Sequence, residues 1–376
     1  MGIKEGDKIA IASRNCSNWV VSYMAIMSYK AVAVTLLQDF KAEDLARLVE
    51  HSDAKMLIVG PYVWRELQHQ QLPDLQAIMS MDDFSFIHLA EPYKGHVEHI
   101  MTEPSTLTEN TFFSLVQDGE IDLNSLALIN YTSGSTGFSK GVMLSHRNLC
   151  ANLYAAQELR PSYEWDKWLS ILPLSHTLEQ SLSLLLPMLS GSQVFYMEKA
   201  PTPTMLLKSM QQVKPTTMLS VPLIIEKVYR SAVLPKFTKS KVMKSAYSFP
   251  PTRKLLNRVA GKKLMEQFGG NIRFFGIGGA KLDKTVEQFL LEAKFPYAIG
   301  YGLTETSPLI AGAIPSMVRL GSTGPIVHGV TAKLIDQNEE GIGEIVVKGD
   351  NVMMGYYKNP EATAAAFTED GWFRTK

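Results

Sequence analysis

The sequence has little of several features that would assign it at once to a common class of protein. It has only two cysteines, Cys16 and Cys150, in 376 residues, and their spacing matches no metal or redox motif. This argues against a disulfide scaffold and predicts a reducing compartment. Neither sign of charge is in excess, because 37 lysines and arginines balance 37 aspartates and glutamates. A balanced charge argues against binding of nucleic acid or of a membrane through overall charge.

Long apolar runs are also missing. One of the longest, residues 182–189, contains Ser183 and Pro187 and is too short to span a bilayer. The first residues lack the apolar stretch of a signal peptide. Gly6 stands where a myristoylation signal needs serine or threonine. We therefore expect a soluble, cytoplasmic protein.

The pattern of apolar residues predicts an α/β fold. The length exceeds what a single hydrophobic core usually holds. Strand-like segments alternate with helix-like segments from Lys8 onward, with Ser17 predicted to cap the first helix, and such alternation favours mostly parallel sheets flanked by helices. We predict a first α/β lobe at 1–190, a second lobe at 191–308, and a small β-rich subdomain without helices at 309–376.

A run rich in glycine and hydroxyl side chains at 131–141 is the strongest motif. An apolar segment at 126–129 leads into it and a helix is predicted from about Ser145, so we expect a strand-to-helix turn. Glycines let the backbone approach an anion closely, hydroxyls and N–H groups donate to it, and lysine adds charge. The spacing does not fit the Walker A loop, because Gly141 follows Lys140. The candidate phosphate-binding residues are Thr132, Ser133, Gly134, Ser135, Thr136, Gly137 and Lys140.

Two further motifs follow predicted strands of the second lobe. In the run 300–308, Glu305 can bind a hard cation such as Mg²⁺ and Tyr301 offers a flat face to a purine. The turn Gly278-Gly279-Ala280 lacks the third glycine of a dinucleotide-binding fingerprint, because Lys281 stands there.

Taken together, these motifs resemble those of the adenylate-forming superfamily, which includes acyl-CoA synthetases, amino-acid adenylation domains and luciferases. The resemblance implies the fold of an acyl-CoA synthetase N-terminal domain. It also implies that ATP, Mg²⁺ and CoA take part. The implied roles are phosphate binding by the 131–141 loop with Lys140, adenine contacts by Gly278, Gly279, Ala280, Tyr301 and Gly302, an α-phosphate contact by Thr304, magnesium binding by Glu305, and a position near the acyl carboxylate for His176.

His176 has an alternative interpretation, because a single histidine also serves often as a helix cap or core residue. The finer texture of the sequence is most similar to bacterial long-chain fatty-acid–CoA ligases, so a fatty acid is the expected substrate. The family's Trp-Phe-Arg-Thr run, which ends here at Thr375, is followed in the family by Gly-Asp and then by a mobile C-terminal domain. We therefore expect a large N-terminal domain alone, with weak turnover. Adenylation of an amino or aryl acid, and binding of nucleotide or acyl group without turnover, stay open as alternatives.

The segment 227–263 is compositionally unusual. It contains eleven lysines and arginines and no acidic residue. A solvated basic surface and a functional patch for anionic lipid head groups or CoA phosphates are equally compatible with this pattern.

Overall fold

The fold is known from a computed structural model that describes residues 2–102, 122–132, 139–199 and 201–375. The strands are β1 Lys8–Ala12, β2 Val32–Thr35, β3 Ala54–Val59, β4 Ala77–Ser80, β5 Phe86–Leu89, β6 Leu126–Thr132, β7 Lys140–Ser145, β8 Lys167–Ser170, β9 Gln193–Tyr196, β10 Thr217–Ser220, β11 Phe274–Ile277, β12 Tyr297–Gly302, β13 Leu309–Gly312, β14 Val330–Ile335, β15 Glu344–Gly349, β16 Gly355–Tyr356 and β17 Phe373–Arg374.

The α-helices surround these strands in the sequence. They are α1 Ser17–Ser28, α2 Ala42–His51, α3 Pro61–Leu67, α4 Glu91–Thr102, α5 His146–Leu159, α6 Thr177–Glu179, α7 Leu186–Leu189, α8 Pro203–Val213, α9 Pro222–Val228, α10 Leu234–Thr238, α11 Lys241–Ser248, α12 Pro250–Gln267, α13 Lys284–Glu292 and α14 Pro360–Ala365. Two π-helical segments, Gln180–Leu185 and Tyr229–Val233, continue α6 and α9, and a single 3₁₀ turn covers Thr304–Thr306.

The chain forms two compact units. The first contains residues 1–150, 173–176 and 352–368, and the second contains 151–172, 177–351 and 369–376. Each unit is assembled from three separate segments of the chain, whereas each predicted region is one continuous segment. The boundaries predicted after residues 190 and 308 stay a prediction.

The first unit is built on one mixed sheet with the strand order β16-β7-β6-β2-β1-β3-β4-β5. Its central strands pair in parallel, and the edges are antiparallel. Strands such as β2 are buried along their whole length, which is typical of a parallel sheet covered on both faces. Their side chains and the inner faces of α2 and α3 form the core of this unit.

The second unit contains a sheet with the order β13-β12-β11-β10-β8-β9 and a small antiparallel sheet, β14-β15-β17. All neighbours in the larger sheet are parallel except β12 and β13. The core includes Phe268, Phe275 and Phe295, whose ring centroids lie 5.5 to 5.9 Å apart. The predicted α/β class with an additional small β sheet is confirmed.

Three local expectations are wrong. The glycine-rich run does not connect a strand to a helix, because β7 follows it, pairs antiparallel with β6, and only then leads into α5. Ser17 is the first helical residue rather than the cap, since the preceding Cys16 takes the cap position. The last region is not free of helix, because α14 forms after Asn359, whose side chain accepts from the Ala362 N–H. None of the described helices is long and apolar enough to cross a membrane.

The buried ion pair in the second unit provides a test of packing. Arg160 Nη1 lies 3.1 Å from Asp166 Oδ2, and the Asp166 side chain is 0% exposed. Replacing Arg160 with methionine leaves a buried carboxylate without its partner, so we expect about 3 kcal/mol loss in the free energy of unfolding in urea. The matched control is Arg230→Met, because the Arg230 side chain is 65% exposed and lies 3.8 Å from Glu226, so the loss should stay below about 0.5 kcal/mol. Equal losses in the two variants would contradict this assignment.

Candidate active site

In the first unit, the predicted phosphate-binding loop joins two antiparallel strands. Thr132 at the end of β6 is the cross-strand partner of Lys140 at the start of β7. Both residues are half-buried. Ser133, Gly134, Ser135, Thr136 and Gly137 lie outside the described residues, so their predicted roles stay predictions. The hairpin therefore brings a hydroxyl and an ammonium group to the two ends of the loop.

The base of this hairpin is held by aromatic contacts. Tyr131 is 1% exposed, and its hydroxyl lies 2.7 Å from His51 Nδ1 at the end of α2. Burial raises the pKa of Tyr131 far above its usual value, and burial together with nearby Lys358 lowers the pKa of His51. On the other side, the Lys140 ammonium lies 4.9 Å from the ring centroid of Tyr356, within cation–π range. These contacts hold the end of β6 at Tyr131 and the Lys140 side chain at the start of β7.

A short segment, residues 173–176, belongs to the first unit although its neighbours in sequence belong to the second. Asn130 of β6 is buried and donates to the carbonyl oxygen of Ser175 at 2.5 Å. Asn15 Oδ1 accepts from the Leu174 N–H at 2.9 Å. These bonds place His176 on the sheet that carries Thr132 and Lys140. His176 is exposed to solvent at its place in the chain, while partial desolvation of its imidazole lowers its pKa, and its predicted role stays a prediction.

In the second unit, two predicted motifs lie side by side. The turn at 278–280 leaves the carboxyl end of β11, and residues 301–305 include and follow the carboxyl end of the adjacent parallel strand β12. A Cβ atom on Gly278 would lie 3.8 Å from the carbonyl oxygen of Gly300, which shows how closely the two segments approach. Ligands of open α/β sheets bind at this edge.

Gly279 has the φ angle of +84° that favours glycine, and both it and Ala280 are exposed. Gly302 has no room for any side chain, because a Cβ would lie 1.7 Å from the carbonyl oxygen of Pro308. Thus Gly279 and Gly302 are required by the backbone itself, and Gly279 and Ala280 leave main-chain groups accessible.

The turn that carries Thr304 and Glu305 is held by hydrogen bonds from buried polar groups. Asn351 donates to the carbonyl oxygens of Thr306 and Leu309 at 3.0 and 2.8 Å. Ser307 Oγ donates to the Asn351 carbonyl oxygen at 2.9 Å. Thr306, Ser307 and Asn351 are almost completely buried, whereas Thr304 and Glu305 are half-buried. The fixed residues thus present the two predicted functional side chains at the surface of the turn.

Glu179 is a buried carboxyl group that sequence reasoning did not single out. One of its oxygens accepts from the Ile171 and Leu172 N–H groups at 3.0 and 3.3 Å, and the other accepts from Ser183 Oγ at 3.1 Å. It therefore fixes the backbone at the carboxyl end of β8. Complete burial raises its pKa to about 7.

The structure brings the predicted residues together in two sets, one on each unit. Thr132, Lys140 and His176 share the first unit, whereas Gly278, Gly279, Ala280, Tyr301, Gly302, Thr304 and Glu305 share the second. The supporting residues Tyr131, His51 and Asn351 were missed. Only Tyr131 had a signal, since it opens the glycine-rich run. His51 and Asn351 are distant in sequence from the motifs they support.

The donor set fits nucleotide phosphate better than a dedicated metal cage. Among the described residues, no group of three or more histidine, cysteine, aspartate or glutamate side chains could hold a metal ion. Glu305 offers a single carboxylate. Mg²⁺ commonly takes one or two carboxylates and completes its octahedron with phosphate oxygens and water. A magnesium ion would therefore depend on the nucleotide for most of its ligands.

Comparison with known proteins defines the family. The model of the AMP-binding enzyme family matches residues 1–357, so the chain belongs to that family. Fatty acyl-CoA synthetase A of Dictyostelium discoideum is 28% identical over all of this chain, which spans 59% of that protein. Long-chain-fatty-acid–CoA ligase 4 of Saccharomyces cerevisiae is 34% identical over 66% of this chain and 39% of its own length.

Solved structures share the fold at lower identity. The N-terminal domain of FACL13 from Mycobacterium tuberculosis, in an inhibitor-bound crystal structure, has a TM-score of 0.74 at 19% identity and covers all of this chain and 83% of its own. ATP-bound MatB from Rhodopseudomonas palustris has a TM-score of 0.71 at 22% identity, with this chain spanning 66% of it. The expected fold of an acyl-CoA synthetase N-terminal domain is confirmed.

Glu179 gives a pH dependence that can be measured. Between pH 4.5, the usual pKa of a glutamate, and about 7, the folded state keeps a proton that the unfolded state has lost, so the free energy of unfolding falls as the pH rises through this window. The contribution of this group should decrease by about 3 kcal/mol. Glu179→Gln, which cannot titrate, should lack this decrease when urea unfolding is compared with the wild type between about pH 5 and 8. Parallel stability profiles for the two proteins would show that Glu179 does not titrate in this range.

Proposed function

We propose that the protein activates a long-chain fatty acid with ATP to form an acyl-adenylate and then acyl-CoA. Family membership and the names of relatives such as the yeast long-chain ligase support this proposal. The observation that carries it for this chain is the pairing of the Gly278–Ala280 turn with the Tyr301–Glu305 segment at one sheet edge. Because the chain spans 59% of the first relative, the activity is proposed for the whole protein.

In the proposed reaction, a carboxylate oxygen of the fatty acid attacks the α-phosphorus of ATP, and pyrophosphate leaves. The CoA thiol then attacks the acyl carbon, and AMP leaves. Lys140 and the hydroxyl of Thr132 stabilise phosphate charge, while Thr304 contacts the α-phosphate. The catalysis consists of positioning and charge stabilisation, so no protein nucleophile is needed.

The remaining residues orient the two substrates. Tyr301 stacks on adenine, and the exposed backbone of Gly279 and Ala280 contacts its edge. His176 lies near the fatty-acid carboxylate. Glu305 binds Mg²⁺, which supplies charge neutralisation at the phosphates when it is bound. We also infer a cytoplasmic location, since the two free cysteines suit a reducing compartment.

Pyrophosphate exchange separates this proposal from its alternatives. The full-length protein should exchange labelled pyrophosphate into ATP when a fatty acid is present and not with amino or aryl acids. Exchange that requires an amino or aryl acid would indicate another adenylating enzyme. If the protein binds nucleotide but exchanges no pyrophosphate with any of these acids present, it is a binding module.

The role of Glu305 can be tested by removing its charge. Glu305→Gln in the full-length protein should raise the magnesium concentration needed for half-maximal exchange by on the order of tenfold, because one carboxylate ligand is lost. The fold should be unaffected, since the side chain is half-buried at a turn surface. Glu339→Gln, at an exposed position of the same unit, is the control. An unchanged magnesium titration in Glu305→Gln would show that this residue does not bind the metal.

The acyl substrate can be tested with a chain-length series. Each methylene buried in an apolar pocket contributes at most about 0.8 kcal/mol, or roughly fourfold in affinity. The KM for saturated fatty acids should therefore decrease from medium to long chains and then level off where the pocket ends. A flat or inverted series would contradict the long-chain assignment while leaving the adenylation chemistry intact.

A further inference from the structure

Helix α12 has an outer face on which basic and apolar side chains form two adjacent rows. Residues four apart on a helix are neighbours on its surface. Lys254, Arg258 and Lys262 form one such row and are all exposed. Leu255 and Val259 begin the next row, with 62% and 50% of their surface exposed, and Lys263 continues it.

The opposite face of α12 is firmly packed, so the outer face has a fixed orientation. Arg253 Nη2 lies 2.8 Å from Glu292 Oε1, and Asn257 Nδ2 donates to Glu292 Oε2 at 2.8 Å. A Cβ on Gly261 would lie 2.7 Å from Ala293 Cβ, which brings α12 close to the end of α13. These contacts leave the two outer rows directed away from the core.

The outer face carries an excess of basic charge, with four basic residues and the one exposed Glu266, which lies one turn beyond Lys262 in the same row. Within the described part of the chain, Lys254, Arg258, Lys262 and Lys263 form no ion pair. No acidic residue occurs between Glu226 and Glu266, although the chain as a whole has no net charge. The basic residues are thus concentrated in one segment.

Further apolar side chains are exposed close to α12 in the sequence. Phe249, which immediately precedes the helix, is 59% exposed, and Val242 on α11 is 80% exposed. Helix α11 has no buried residue at all. A soluble partner of ordinary composition would not require lysine and arginine beside exposed leucine, valine and phenylalanine. The head-group region of an anionic bilayer matches this combination, because its phosphates attract the cations and the boundary with the acyl chains accepts the apolar side chains.

We propose that the outer face of α12 is a docking surface for an anionic membrane. Lys254, Arg258, Lys262 and Lys263 contact lipid phosphates, and Leu255 and Val259 enter the boundary between head groups and acyl chains. This surface is distinct from the residues assigned to adenylation, and the inference does not depend on the proposed enzymatic activity. It selects the lipid interpretation of the basic segment over binding of the CoA phosphates.

The test is co-sedimentation of the full chain with vesicles. One set contains phosphatidylcholine alone and the other contains phosphatidylcholine mixed with phosphatidylglycerol. The protein should bind the anionic vesicles, bind the neutral ones poorly, and dissociate as salt screens the charges. Each basic residue near the surface is worth about fivefold in affinity, so Lys254→Gln/Arg258→Gln/Lys262→Gln should bind roughly a hundredfold more weakly. Leu255→Ser/Val259→Ser should lose roughly tenfold and keep its salt dependence.

The matched control is Lys41→Gln/Arg65→Gln/Lys167→Gln, which removes the same charge from exposed positions outside this segment. Its vesicle binding should remain near that of the wild type, and far-ultraviolet circular dichroism should show that all variants are folded. Equal weakening by both triple variants would reduce the effect to overall charge and overturn the proposal. So would absence of binding to anionic vesicles, or displacement of the protein from vesicles by free CoA.

Discussion

The interaction on which the candidate site most depends is the set of buried hydrogen bonds beneath the turn at 304–306. Asn351 reaches the carbonyl oxygens of Thr306 and Leu309, and Ser307 returns a bond to Asn351. Buried amide and hydroxyl groups are costly without partners, so this arrangement has few alternatives. It fixes the backbone while leaving Thr304 and Glu305 half-buried. Electrostatic stabilisation of a reaction requires accessible polar groups that are held in fixed positions, as Thr304 and Glu305 are here.

In the first unit, the candidate phosphate-binding residues are positioned by a hairpin and not by a helix terminus. The glycine-rich run connects β6 to the antiparallel strand β7, so no helix begins directly after it. Its fixed charge comes from Lys140, whose ammonium lies over the Tyr356 ring. Its rigid base comes from Tyr131 and His51, in contact at 2.7 Å. The hydrogen bond from Asn130 to Ser175 then adds the His176 segment to the same sheet.

Much of this organisation is readable in the sequence, because it depends on local chemistry. Continuous apolar segments such as β2 and β11 are typical of parallel sheets, and the residues after such strands gather at one edge. Gly279 and Gly302 were assigned to the site for their resemblance to a family, and the structure gives a steric reason for each. Sequence reasoning failed where the decisive partner is far away. The helix predicted from about Ser145 begins at His146, but the strand at Lys140–Ser145 that precedes it was not predicted, because local propensity does not show the pairing of Lys140 with Thr132.

The sequence by itself determined the family, the α/β class, and the chemical character of the phosphate, adenine and metal motifs, since each resides in a short run of residues with fixed spacing. The tertiary structure alone decided which distant residues hold those motifs in place. In the sequence, three of these residues look like ordinary polar residues: His51, which contacts Tyr131, Asn351, which bonds to the turn at 304–306, and Glu179, which bonds to the end of β8. Their importance arises from burial, because a polar group acquires a large energetic effect only when folding removes it from water and leaves it a few fixed partners.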